Sequence, residues 1–145
     1  MRKPERFSCR IYGVLPRAGA RGRTEVLMTR SIFREREFVN FPGGGIGLGE
    51  APGAALQREY REETGIAIAP VRVLYASQAC HVSTQRPWQI VSAYWLVRRT
   101  GGALRRGGNG DDVRATFWAD LDRIPGAEMF PADLEFARVL PPLLR

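Results

Sequence analysis

The sequence predicts a layered fold of the α/β (α+β) class, a mixed sheet flanked by helices, on three observations. Short runs rich in apolar, β-branched and aromatic residues recur along the chain. One segment has helix-favouring composition with its own start and stop signals, and glycine-rich stretches separate the two kinds of element. The 145 residues fit a single domain, 1–145, with no internal repeat or low-complexity tract, and 44% hydrophobic and 26% charged residues exclude a disordered chain.

Residues 7–15 and 25–30 read as strands, and the polar, glycine-containing stretch 17–23 between them makes them a hairpin with a long loop. An arginine-rich segment, 31–36, and a short apolar piece, 38–41, lead into the glycine cluster PGGGIGLGE. Residues 51–64 form the clearest helix, with Pro52 tolerated in the first turn and Gly65 placed as a stop. Residues 71–79, 89–97 and 115–119 read as three further strands. Five glycines and charges of both signs make 98–112 a mobile loop, and 132–140 reads as a last helix closed by Pro141 and Pro142.

The formal net charge is +7, and only Lys3 among the 22 basic residues is a lysine. The guanidinium fork suits phosphate, so the balance points toward a polyanionic substrate or nucleic acid; a codon preference for arginine accounts for it equally well. Arg10 interrupts the only N-terminal run resembling a signal peptide, and no stretch is long enough to span a membrane, so a cytoplasmic protein without a membrane partner is expected. Cys9 and Cys80 lack metal-ligand spacing and His81 is the lone histidine, which excludes a zinc set and predicts free thiols.

Residues 44–66 concentrate the chemistry. At about 100° per residue, Glu59, Glu62 and Glu63 share a helix sector roughly 100° wide. Like charges at that spacing repel, so the arrangement calls for a compensating cation, and hard oxygen donors favour magnesium or manganese over zinc or copper. Leu56 and Tyr60 flank the acidic sector and are expected to anchor the helix to the sheet, while Arg58 can bridge to Glu62 one turn on. The preceding glycines let the main chain approach a ligand, and amides entering a helix hold an anion. No Gly-Lys-Ser/Thr follows, so this is not a Walker A loop.

These residues resemble the Nudix family, whose box reads G-x5-E-x7-R-E-U-x-E-E-x-G-U with U bulky and apolar. Gly44, Glu50, Arg58, Glu59, Glu62, Glu63, Gly65 and Ile66 stand in register. Tyr60 falls where the family usually has an aliphatic residue. The resemblance implies a Nudix-type α/β/α sandwich with a mixed central sheet, and a hydrolase that cleaves the phosphoanhydride of a nucleoside diphosphate linked to another group. It implies that Glu59, Glu62 and Glu63 ligate Mg2+, with Mn2+ as a substitute, that Glu50 assists directly or through water, and that Arg58 orients a ligating glutamate. Gly44 and Gly65 would shape the loop and the helix end, and Gly44 and Gly45 are candidates for substrate binding.

Water would attack one phosphorus while a carboxylate takes its proton. Some family members use a glutamate before the last strand, but Ala115 aligns there, so Asp111, Asp112, Glu62 and Glu63 stay open as the base. Arg34 and Arg36, or Arg105 and Arg106, are the candidates for a distal phosphate. Phe41, Trp88, Trp95 and Trp118 are expected to be mainly core, with a base-stacking ring among them an open alternative. His81 is expected to stand outside the chemistry. A small nucleotide is the expected partner, and a homodimer stays open. Two other readings stay open: an RNA 5′-end pyrophosphohydrolase, from the basic balance, and a non-catalytic Nudix-like nucleotide-binding module, against which the intact carboxylate set argues.

Overall fold

The computed structural model describes residues 3–145. Nine strands and two main helices follow in the order β1 Arg6–Val14, β2 Pro16–Ala18, β3 Thr24–Phe33, β4 Arg36–Asn40, β5 Gly43–Gly45, α1 Pro52–Thr64, β6 Ile66–Ala76, β7 His81–Val82, β8 Trp88–Gly102, β9 Val113–Asp120 and α2 Pro131–Leu143. The first sheet runs β5-β1-β8-β6, with β7 also on β8. It is the expected mixed sheet, because β1 and β8 are parallel while the other pairs are antiparallel. The second sheet is antiparallel, β3 pairing with β2, β4 and β9.

Alternation along the strands explains why helices cover both faces. Ile11 and Leu15 of the first strand region and Leu27 of β3 face one core with Leu56 and Tyr60 of α1. Tyr12, Val14, Val26 and Met28, their neighbours in sequence, face the other core with Phe136 and Leu140 of α2. A strand stretch buried on both faces cannot show a polar side, which is why residues 11–14 of β1 and 26–28 of β3 read as continuous apolar runs. Tyr60 resolves the one irregular position of the glutamate-bearing helix. It is fully buried, its ring fills the space that Gly13 leaves beside it, and its hydroxyl donates to the Gly13 carbonyl at 2.8 Å.

Several local expectations change. β1 and β3 do not form a hairpin, because a doubly buried strand needs partners on both edges and β1 finds them in β5 and β8, far along the chain. Hairpins form instead at β2–β3, β3–β4 and β7–β8, the second turning at Arg34 and Glu35, both with positive φ (49° and 66°). The stretch 98–112 is ordered. β8 continues to Gly102 along β6, and the Ala103 and Arg105 amides then donate to the Gly65 and Thr64 carbonyls at the end of α1. Pro141 and Pro142 do not close the last helix but lie within its final turns. The strand expected over 71–79 starts earlier, at Ile66, and ends at Ala76.

Beyond Ala76 the chain is held by one carboxylate. Glu135 of α2 accepts from the Gln78 and Ala79 amides at 2.8 and 3.0 Å, from the Tyr75 hydroxyl at 2.8 Å, and meets His81 Nε2 at 2.9 Å. Burial alone would raise its pKa; the two amides, His81 and Tyr75 outweigh this and hold it at about 2. Cys9 and Cys80 are free, and among the described residues no helix is long and apolar enough to cross a membrane.

Two outcomes follow from the packing. Gly13→Val pushes a side chain into Tyr60 and lowers the unfolding free energy by about 1–3 kcal/mol, measured by urea denaturation; an unchanged midpoint contradicts the packing described. The folded-state pKa of Glu135 lies below its ordinary value, so its stabilisation is complete above about pH 4.5 and is lost as pH falls toward about 2. The gap in urea midpoint between wild type and Glu135→Gln is therefore constant near neutrality and narrows below about pH 4.5. A gap independent of pH rules out this role.

Candidate active site

With Leu56 and Tyr60 pointing into the core, the 3.6-residue repeat turns Glu59, Glu62 and Glu63 outward along the edge of α1. Glu59 and Glu63 are half-buried, and Glu62 is exposed. Gly65 ends the helix in the left-handed conformation, φ 81°, its N–H on the Arg61 carbonyl. A Cβ there would stand 2.3 Å from the Ala103 carbonyl oxygen, so the loop after β8 can dock only on a glycine.

Arg58 organises the carboxylates. Its Nε and Nη2 donate to the two oxygens of Glu50 at 2.7 and 3.0 Å, and its Nη1 donates to Glu59 at 3.1 Å and Glu62 at 3.3 Å. Nη2 also reaches the Gly45 carbonyl at 3.4 Å. Arg58, and then the Gly47 amide, hold Glu50 down to a pKa of about 2. The glycines of β5 each meet a member of the set. The Gly43 amide donates to Glu63 at 3.0 Å, and a Cβ on Gly44 would lie 2.7 Å from Glu59 Oε1.

Glu59, Glu62 and Glu63 line an open polar cleft whose other wall is the segment before β9, with Arg105, Asn109, Asp111 and Asp112. Burial raises the pKa of Glu59 and drives that of Glu63 well above the carboxylate range; for Glu63 the charges of Glu59 and Asp112 add to this, against the Gly43 amide. Among the described residues no three carboxylates are already gathered as a metal site; Arg58 Nη1 bridges Glu59 and Glu62, and the Gly43 amide holds Glu63. The donor set nonetheless fits a hard divalent cation: oxygen ligands only, like charges crowded in one cleft, and two of them penalised by burial until a positive charge arrives.

A second cavity of about 270 Å³ adjoins the cleft and shares Asp112 with it. Phe33, Phe38, Trp88, Ile90 and Phe130 wall it. At its base the Asp133 carboxylate accepts from Tyr94 Oη at 2.7 Å and Asn40 Nδ2 at 3.1 Å.

The residue pattern of the box, read from the sequence, is thus assembled on one helix edge and one short strand, and a family comparison decides what it is. The model of the NUDIX domain matches residues 10–140. The chain belongs to the NUDIX domain family. Solved structures agree on the fold. The MutT protein from Methanosarcina mazei superposes with a TM-score of 0.70 at 20% identity, over 96% of this chain and 94% of that one. The MutT NUDIX hydrolase from Burkholderia pseudomallei gives 0.71 at 21%, over 94% and 98%. An ADP-ribose pyrophosphatase from Streptococcus suis gives 0.63 at 15%, over 94% and 89%. No curated protein matches the chain. The protein is a Nudix hydrolase, of a family that hydrolyses pyrophosphate bonds in small nucleotide-linked substrates and generally uses divalent metals.

Other sequence candidates fall elsewhere. Glu50 does not line the cleft, because Arg58 takes both its oxygens. Arg34 and Arg36 line neither cavity; Arg34 meets the Gln85 carbonyl and Arg36 lies over the Phe130 ring. Arg106 faces away, toward Phe117 and Trp118, whereas Arg105 borders the cleft with its Nη2 on the Arg61 and Glu62 carbonyls at 2.9 and 2.7 Å. Of the four aromatic candidates only Trp88 faces the aromatic cavity; Phe41 is core, and Trp95 and Trp118 pack beside α1. Ala115 sits in β9 opposite Arg30. Arg10, Asn40 and Asp133 escaped the sequence reading, because strand pairing and helix docking bring them in from three distant segments. Asn109 escaped it too, although N-G-D-D is a recognisable side-chain-capped turn, its Oδ1 accepting from the Asp111 and Val113 amides.

Arg105→Ala removes two charge-assisted hydrogen bonds from the last carbonyls of α1. The expected loss is about 1 kcal/mol, together with faster amide exchange at Ala103 and Arg105. Unaltered exchange at those amides contradicts the docking described.

Proposed function

We propose that this enzyme hydrolyses the phosphoanhydride of a nucleoside diphosphate linked to another moiety, in the cytoplasm, with Mg2+ or Mn2+ held by Glu59, Glu62 and Glu63. The observation that carries the reading is the adjacency of the two cavities: an acidic, metal-suited cleft and an aromatic cavity share Asp112 in their linings. One end suits a charged phosphoanhydride and the other a flat ring.

Bound metal would neutralise the phosphoryl oxygens and acidify the attacking water. The rest falls to the chain. Arg58 keeps Glu59 and Glu62 aligned along the helix edge, and Glu50 acts through Arg58 by fixing its guanidinium with two hydrogen bonds. The Gly43 amide fixes the Glu63 carboxylate, and Gly44 leaves room for Glu59. Asp112 is the base of choice, because it faces the glutamates across the cleft at the junction with the aromatic cavity, and Asn109 Nδ2 orients it at 2.9 Å. It takes the proton from water as the new phosphorus–oxygen bond forms, and the bridging oxygen leaves with the electron pair of the broken bond.

Glu62 is exposed and can be changed without disturbing the core. Glu62→Gln is expected nearly to abolish metal-dependent hydrolysis with an unchanged unfolding transition; wild-type turnover removes it from the ligand set. Asp112→Asn is expected to lower kcat by about 10²–10⁴-fold with KM little changed. A wild-type kcat in that variant moves the base to another carboxylate. The substrate is sought among nucleoside triphosphates, dinucleoside polyphosphates, ADP-ribose, nucleotide sugars and triphosphorylated RNA, scoring released phosphate or pyrophosphate. Activity on RNA alone replaces the small-nucleotide reading.

A further inference from the structure

Arg10 lines the aromatic cavity on the side where β1 meets β5 and makes no ion pair among the described residues. On β1 it pairs with Gly45 of β5 on one side and Ser92 of β8 on the other. Its Nε donates to Tyr12 Oη at 2.6 Å, and its guanidinium lies 5.7 Å from the centre of the Tyr12 ring. It lines the aromatic cavity, and its Nη1 lies 3.8 Å from where a Gly45 Cβ would be. Among the described residues no carboxylate lies within ion-pair distance of it. Its charge is felt by groups on both sides: the Tyr12 phenol acts on it most strongly, then Asp133 at the base of the cavity and Glu59 in the cleft, at longer range.

The two terminal nitrogens left over from Tyr12 make no hydrogen bond among the described residues, and they are the fork that grips phosphate. Of the other arginines near the two cavities, Arg58 is committed to Glu50, Glu59 and Glu62, Arg105 to the end of α1, and Arg86, which also lines the aromatic cavity, lies over the Trp88 ring. The cavity is at the small end for ligand sites, room for one ring system, with Asn40 and Asp133 hydrogen-bonded to each other at its base.

We propose that Arg10 grips the phosphate nearest the sugar of a nucleoside 5′-phosphate substrate whose base enters the cavity between Phe38, Trp88 and Phe130. The assignment rests on the small-nucleotide reading above and gives that substrate one direction: base in the aromatic cavity, first phosphate on Arg10, scissile anhydride over the glutamates.

The test uses the full chain in EDTA, so that binding is read apart from hydrolysis. Adenosine, guanosine, their 5′-monophosphates and inorganic pyrophosphate are titrated by calorimetry into wild type, Arg10→Gln, Arg10→Lys and Phe38→Ala. In wild type the monophosphate binds more tightly than its nucleoside. Arg10→Gln is expected to weaken monophosphate binding by about ten- to a hundredfold while nucleoside binding stays unchanged. Arg10→Lys keeps the charge without the fork and falls between, and Phe38→Ala weakens nucleoside and monophosphate alike. Unchanged monophosphate affinity in Arg10→Gln, equal loss of nucleoside and monophosphate there, or tighter binding of pyrophosphate than of either monophosphate overturns the proposal. A failed Glu62→Gln or Asp112→Asn prediction concerns hydrolysis and leaves these binding results standing.

Discussion

The rotation of α1 about its own axis is the constraint on which the site depends, and Tyr60 fixes it. Its ring is sealed into the gap beside Gly13, and its hydroxyl is tied to the same residue. With Leu56 beside it in the core, only one rotational setting buries both. Every outward residue of the helix then has a set direction, the three glutamates toward the cleft and Arg58 toward the loop that carries Glu50. An aliphatic residue at position 60 would make the hydrophobic contact without the hydrogen bond. In this chain a glycine on β1 and an aromatic on α1 act as a matched pair.

The site is assembled from charges that oppose one another. Glu59 and Glu63 are partly removed from water beside each other, which disfavours ionisation of both. Arg58 offsets this for Glu59 and a backbone amide does so for Glu63. The helix thus holds its carboxylates in a state that a divalent cation relieves. The aromatic cavity follows a different principle, with apolar walls and a polar base whose hydrogen bonds are already satisfied among Asn40, Asp133 and Tyr94.

The sequence carried the site further than it carried the topology. Helix α1, its proline start and glycine stop, and the direction of its glutamates were legible because they depend on spacing within one turn or two. So was the layered class. Strand partners were not legible: nothing local distinguishes a β1 that pairs with β3 from one that pairs with β8, eighty residues away in the parallel register Cys9 to Val91. The glycines and mixed charges of 98–112 mark flexibility in isolation, yet Gly65 and the carbonyls ending α1 give that segment a docking surface. Arg10, Asn40 and Asp133 carry no motif at all, since their meaning exists only after the two sheets and α2 have come together.

The hydrogen bonds among Asn40, Tyr94 and Asp133 also order events in time. They join β4, β8 and the first turn of α2, so the base of the aromatic cavity cannot exist until the segment carrying Asp133 has left the ribosome and docked. By then the glutamates of α1 have long been synthesised. A nascent chain therefore carries its acidic helix before it has an aromatic cavity beside it, and that cavity is completed only when α2 docks.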